Sequence, residues 1–109
     1  MSRDDATLLD IRYAAERIVE FGEGLSADDF RADTKTLSAV LYQIAILGEA
    51  VKRLSPEMRA AHPDIRWKDA AGMRDHVMHG YDKVDLDIVA ETVNTTVPAL
   101  LKQIESLSE

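Results

Sequence analysis

The stretch from Thr36 to Leu54 leaves this chain few ways to fold, because its apolar residues crowd more than one face of a helix. Leu37, Val40, Leu41, Ile44, Leu47 and Val51 recur at three- and four-residue spacing and form one stripe, while Ala39, Tyr42, Ile46 and Ala50 form a second. A helix apolar on most sides has to be covered on most sides. Other helices of the same chain must therefore pack around it. The surplus predicts a further contact with a second copy, in which Ala45 and Gly48 allow close approach. Glu49 breaks the pattern with a carboxylate, and a buried charge is a paired one. Its structural reading is an ion pair with Lys52 or Arg53; its functional reading is support for Arg74.

The remaining helices follow from the same periodicity. Leu8, Ile11, Ala15, Ile18 and Val19 recur at helical spacing, with Asp10, Arg12, Glu16, Arg17 and Glu20 opposite, so a first amphipathic helix ends around Gly22-Glu23-Gly24. Ser26, with Asp29 three residues on, caps a short helical turn through Phe30, and Asp33 or Thr34 caps the long helix. Pro56 and Pro63 bracket a single turn through Met58 to Ala61. A helix runs from Trp67 to His79 and stops near Gly80, with Trp67 as its core anchor and His62 on a surface loop. A last helix starts near Asp85 and buries Leu86, Val89, Val93, Val97, Leu100 and Ile104; Pro98 should loosen it near Asn94-Thr95. There is no strand pattern, repeat or low-complexity linker. The expectation is one all-α domain over 1–109, an antiparallel four-helix bundle with short extra helical turns.

Composition narrows the function. At 109 residues and 46% hydrophobic, the chain can build one modest core. The absence of Cys removes disulfides, thiolate metal sites and a thiol nucleophile, and points to the cytoplasm. No apolar run approaches the roughly 20 residues that cross a bilayer, and the acidic start Met1-Ser2-Arg3-Asp4-Asp5 is unlike a signal peptide, so a soluble protein with no membrane partner is expected. A net charge of −7 argues against broad, tight nucleic-acid binding. The distribution is uneven, however. From Lys52 to Lys83 seven Lys and Arg face five Asp and Glu, and all three His lie there, which suits a local groove for a transient RNA substrate.

Within that basic segment, Arg74-Asp75-His76-Val77-Met78-His79-Gly80-Tyr81 gathers the groups that handle a phosphate and a proton. Arg74 offers a guanidinium fork for phosphate, and His79 an imidazole that can donate or accept a proton. On a continuous helix Asp75 would neighbour His79 and orient its ring. Arg74 and His79, five apart, would diverge by about 140°. Either the helix unwinds at His79-Gly80, or two copies of the segment meet across a symmetric interface. His76 and His79 at i, i+3 raise a metal site, but the Glu-x-x-His pairs and His-Glu-x-x-His that such sites use are missing. Walker, dinucleotide and nucleophile-elbow glycine patterns are missing too, so no cofactor is expected.

Arg74, four residues, His79, one residue and Tyr81 resemble the R-x4-H-x-Y motif of the HEPN superfamily, in particular its HepT-like (DUF86) branch. The flanks Ile65-Arg66-Trp67, Ala71-Gly72-Met73, Val84-Asp85-Leu86-Asp87-Ile88-Val89 and Leu47-Gly48-Glu49-Ala50 are similar in order and spacing, so the resemblance spans nearly the whole chain. One residue departs from it: Asp75 stands where the superfamily often has Asn.

The resemblance implies a HEPN-like bundle and the toxin of a type VII toxin–antitoxin pair, acting as a metal-independent endoribonuclease. Arg74 and His79 would be catalytic, with Asp75, His76 and Glu49 in support. The implied antitoxin is a minimal nucleotidyltransferase that attaches AMP to Tyr81, and the toxin is expected as a homodimer acting on RNA. The competing expectation is a non-catalytic helical subunit that binds or regulates a nucleotidyltransferase.

Overall fold

Ser2 opens the first helix: its hydroxyl accepts the Asp5 N–H at 3.1 Å and the Asp5 carboxylate accepts the Ser2 N–H at 3.2 Å. This reciprocal cap starts α1 (Arg3–Gly22), which buries Ile11, Ala14, Ala15 and Ile18. The computed structural model describes residues 2–79 and 83–107. The same device recurs at Ser26 and Asp29, starting α2 (Ala27–Ala32) where the serine and its partner three residues on predict it. Asp33 then accepts the Thr36 N–H and caps α3 (Thr34–Lys52).

α3 lies antiparallel along α1, with α8 (Val97–Leu107) against α1 on another side and the motif segment against α3. Val40, Ile44, Leu47, Ala50 and Val51 are fully buried, as a helix apolar on several faces requires. Gly22 leaves room for neighbouring side chains: a Cβ there would lie 2.9 Å from a Val93 methyl and 3.1 Å from the Phe30 ring. Beyond α3, α4 (Pro56–Ala61) is capped by Ser55, whose hydroxyl accepts from the Met58 N–H. Among the described residues no helix is long and apolar enough to cross a membrane.

Ser55 also ties the end of α3 to the start of α1. Its N–H and hydroxyl donate to the Asp4 carboxylate at 3.0 and 2.6 Å. The hydroxyl bond, then the N–H, holds the Asp4 carboxyl below its ordinary value of 3.8. A carboxyl depressed by folding stabilises the fold above its unfolded pKa, and that contribution is lost as pH falls through the lower folded value. Asp4→Asn is therefore expected to melt below wild type near pH 6, with the gap closing below about pH 3. Melting temperatures by circular dichroism across that range read it; a gap independent of pH would assign the loss to packing instead.

The last helix is continuous but not uniform. Asp85 caps α7 (Leu86–Glu91) through the Ile88 N–H, a wider π-helical turn spans Thr92–Thr96, and α8 follows. Pro98 has no N–H for the carbonyl four residues back, and its ring crowds that carbonyl, so the turn ahead of it opens, in the place expected. Val89, Val93, Val97, Leu100 and Ile104 are buried across the irregularity. Asn94 turns the opening to use. Its Oδ1 accepts the Gly24 N–H at 2.7 Å and its Nδ2 donates to the Leu25 and Ala90 carbonyls, clamping the α1–α2 turn, where Gly24 has φ +81°.

Candidate functional site

The motif segment is held from below by four buried side chains, Trp67, Ala70, Met73 and Val77. Trp67 is the anchor expected of it: its Nε1 donates to the His62 carbonyl at 3.0 Å. The segment is two short helices rather than one, α5 (Trp67–Ala71) and α6 (Met73–Val77), joined at Gly72. α5 presses its last carbonyls onto α3 at Gly48, where a Cβ would stand 3.0 Å from the Ala71 oxygen. Gly48 thus serves close approach within the chain.

α6 stops at Val77, two residues earlier than the continuous helix to His79 predicts. Met78 is extended, with φ −122° and ψ 125°, and Met78–His79 (β1) pairs antiparallel with Lys83–Val84 (β2), Met78 against Val84 and His79 against Lys83. The Val77 carbonyl accepts the Asp85 N–H at 2.9 Å. The expectation of a chain without strands is corrected by this pair. Met78 and Val84 turn half-buried side chains onto the core, and two residues are too few for alternation to be visible in a sequence. Unwinding was one of two ways to reconcile Arg74 with His79; it occurs, and slightly earlier than His79-Gly80. The helical Asp75–His79 neighbourhood does not form. The Asp75 carboxylate instead accepts from Arg74 Nη1 at 3.1 Å.

Around α6, Met73 and Val77 define the buried stripe. Arg74 lies about 100° to one side of it and His76 about 100° to the other, with Asp75 outward. All three are exposed, as is His79 on β1. Glu49 is exposed on α3 and its ion pair is with Lys52 at 3.4 Å, the structural alternative, rather than with Arg74. Gly80 and Tyr81 lie outside the described residues; the chain on either side of them is joined by the strand pair. Among the described residues no group of three or more His, Asp and Glu could hold a metal ion.

His76 has a different setting from its motif neighbours. It walls a cleft of about 480 Å³ together with Arg66 and Lys68 and, across the seam, Thr92 and Thr96 of the π-helical turn. Sequence reasoning placed the loosened turn correctly but gave its threonines no role. The available signal was the polar run Thr92-Val93-Asn94-Thr95-Thr96 ahead of Pro98 inside an otherwise apolar helix.

These features define an all-α, HEPN-like helical bundle with a polar motif displayed at the end of a short helix. Within that class the chain belongs to the ribonuclease HepT-like family, whose model matches residues 11–107. It is 38% identical over 100 residues, 92% of this chain and 91% of the relative, to "Probable ribonuclease HepT" of Thermococcus cleftensis. A "Putative RNase" of Caldanaerobacter subterraneus is 38% identical over 97 residues, 89% of this chain and 87% of its own. Another, from Methanocaldococcus jannaschii, is 33% identical over 102 residues, 94% and 84% of the two chains. No solved structure matches.

Proposed function

We propose that this chain is a metal-independent endoribonuclease, the toxin of a type VII toxin–antitoxin pair. One observation carries the mechanistic reading beyond family membership: the chain leaves the helix after Val77, so exposed His79 stands on an extended segment beyond exposed Arg74 rather than on the far side of one helix. In the reaction the ribose 2′-oxygen attacks the adjacent phosphorus and the bond to the 5′-oxygen breaks. The 2′-hydroxyl gives up its proton and the departing 5′-oxygen takes one up, leaving a 2′,3′-cyclic phosphate and a 5′-hydroxyl. Arg74 holds the phosphate and offsets the charge that develops on it, and His79 moves a proton as general acid or base. Asp75 restrains the guanidinium until substrate arrives.

The proposal includes a two-fold homodimer that brings two motifs to one cleft and supplies the second acid or base. On α3, Tyr42 is 62% exposed beside half-buried Ala45 and Ile46, an apolar outer strip suited to a second copy. Sedimentation at micromolar concentration should find a dimer; a monomer would remove the second motif from the mechanism.

Regulation is assigned to Tyr81. Its phenol oxygen would attack the α-phosphorus of ATP on a cognate minimal nucleotidyltransferase, losing its proton and releasing pyrophosphate. The adenylyl phosphodiester would pair with Arg74 where the scissile phosphate otherwise sits, and the nucleoside would fill the RNA path. Intact mass of the chain coexpressed with that enzyme is expected to show adenylyl additions, absent in Tyr81→Phe, which should cleave RNA yet escape neutralisation. Additions persisting in Tyr81→Phe would place modification elsewhere. A second reading, a non-catalytic subunit of a nucleotidyltransferase, draws on the Arg74–Asp75 pair, which leaves the guanidinium already engaged; wild type unable to cleave RNA would favour it.

A further inference from the structure

Two clefts adjoin along the seam between the α5–α6 segment and the last helix, of about 480 and 280 Å³, sharing Arg66, Asp69, Met73 and Thr96 as walls. Their floor is apolar, with Ala70, Met73 and Leu100 all buried. Their banks are polar and unlike each other. Arg66, Lys68 and His76 stand on the motif side; Thr92, Thr95 and Thr96 stand on the other, brought there by the turn that Pro98 opens. Thr92 is only 2% exposed, one of two buried polar residues among those described. The other, Thr7, donates its hydroxyl to the Arg3 carbonyl, whereas Thr92 lies on the wall of the cleft.

Charge favours an anionic occupant. The chain carries −7, yet this seam sets two cations, Arg66 and Lys68, against one acid, Asp69. Arg66 pairs with Asp69 at 3.4 Å and Arg74 with Asp75, which leaves Lys68 outside both pairs. An apolar floor for a base, hydroxyls for ribose or base edges, and cations at the rim match a nucleotide of a single strand, which binding grooves hold by stacking and by phosphate contact. Position agrees. The cleft lies on the His76 flank of α6, and Arg74 on the opposite flank, about one helix diameter or 10 Å away. A strand with one phosphate at Arg74 therefore reaches the cleft further along its length.

We propose that this groove is the strand-holding subsite of the enzyme: Lys68 and Arg66 take a flanking phosphate, and the threonine bank takes the ribose or base beside it. The proposal deepens the ribonuclease reading and rests on it. His76 then holds substrate rather than completing the catalytic pair, and Asp69 opposes binding by occupying Arg66.

The test uses the full chain and a fluorescein-labelled single-stranded RNA of about twelve nucleotides, within the span such grooves cover. Anisotropy is measured in a His79→Ala background that keeps the RNA intact. Arg66→Ala with Lys68→Ala should weaken binding about tenfold at low salt and reduce the slope of log affinity against log salt by about 0.7, one phosphate contact's worth on a single strand. Asp69→Asn should tighten binding roughly threefold, the scale of one surface charge pair. Ala99→Tyr, which plugs the groove without changing charge, should weaken it. With His79 restored, the ratio of kcat/KM on the long RNA to that on a dinucleotide should fall in the weakened variants. Unchanged affinity and slope in the double variant, or RNA binding intact while capture of a nucleotidyltransferase is lost, would overturn the proposal. Failure of the ribonuclease reading would appear separately, as wild type that cleaves neither RNA, and the binding measurement would still decide the groove.

Discussion

Arg74→Ala and His79→Ala are each expected to lower RNA cleavage by about a hundredfold or more, the usual cost of removing a positioned proton-transfer group or a charge-stabilising donor. Stability should hardly move, because both residues are exposed; surface changes of this kind stay within about 0.5 kcal/mol. That combination separates chemistry from folding. Lys is an instructive replacement at 74: it keeps the charge but not the planar fork, so Arg74→Lys should recover only part of the rate. Wild-type cleavage should survive EDTA, since the proposed mechanism routes its proton and charge through side chains. Unchanged rates in both alanine variants would end the assignment, and loss of cleavage on chelation would redirect it to a metal.

The second large effect is expected at Gly48, which touches no substrate. A Cβ there sits 3.0 Å from the Ala71 carbonyl oxygen, a backbone atom that can yield only if α5 moves away from α3. Alanine sets two effects against each other: about 1 kcal/mol gained from helix propensity and the strain of that contact. Gly48→Ala should therefore be nearly neutral. Gly48→Val adds γ-methyls against the same carbonyl and is expected to destabilise by about 1–3 kcal/mol, with overpacking the cause. Because α5 and α6 carry the motif, cleavage should fall along with stability, unlike the Arg74 and His79 variants. Urea unfolding beside a cleavage assay distinguishes the two patterns. A valine variant as stable as wild type would mean that the seam is more plastic than its packing implies.

Local chemistry made much of this protein legible in its residues. The Ser26–Asp29 capping box, the Asp33 cap, the start of the last helix near Asp85, the four long apolar stripes and the opening ahead of Pro98 depend on neighbours within a turn or two, and spacing alone reports them. The motif itself, from Arg74 to Tyr81, was visible as a cluster of types and through its family resemblance. What tertiary structure decided lies where a distant partner outbids local preference. The residues from Trp67 to His79 read as one helix, but Asp85 and the Lys83–Val84 strand take the backbone bonds of Val77, Met78 and His79, and burial of Met78 and Val84 favours the exchange. Glu49 looked like a buried charge because its neighbours are apolar; only the packed bundle turns it outward to Lys52. The groove between α5–α6 and the last helix has no signature in either segment, since its two banks are well apart in the chain and meet only when both bury their stripes in one core.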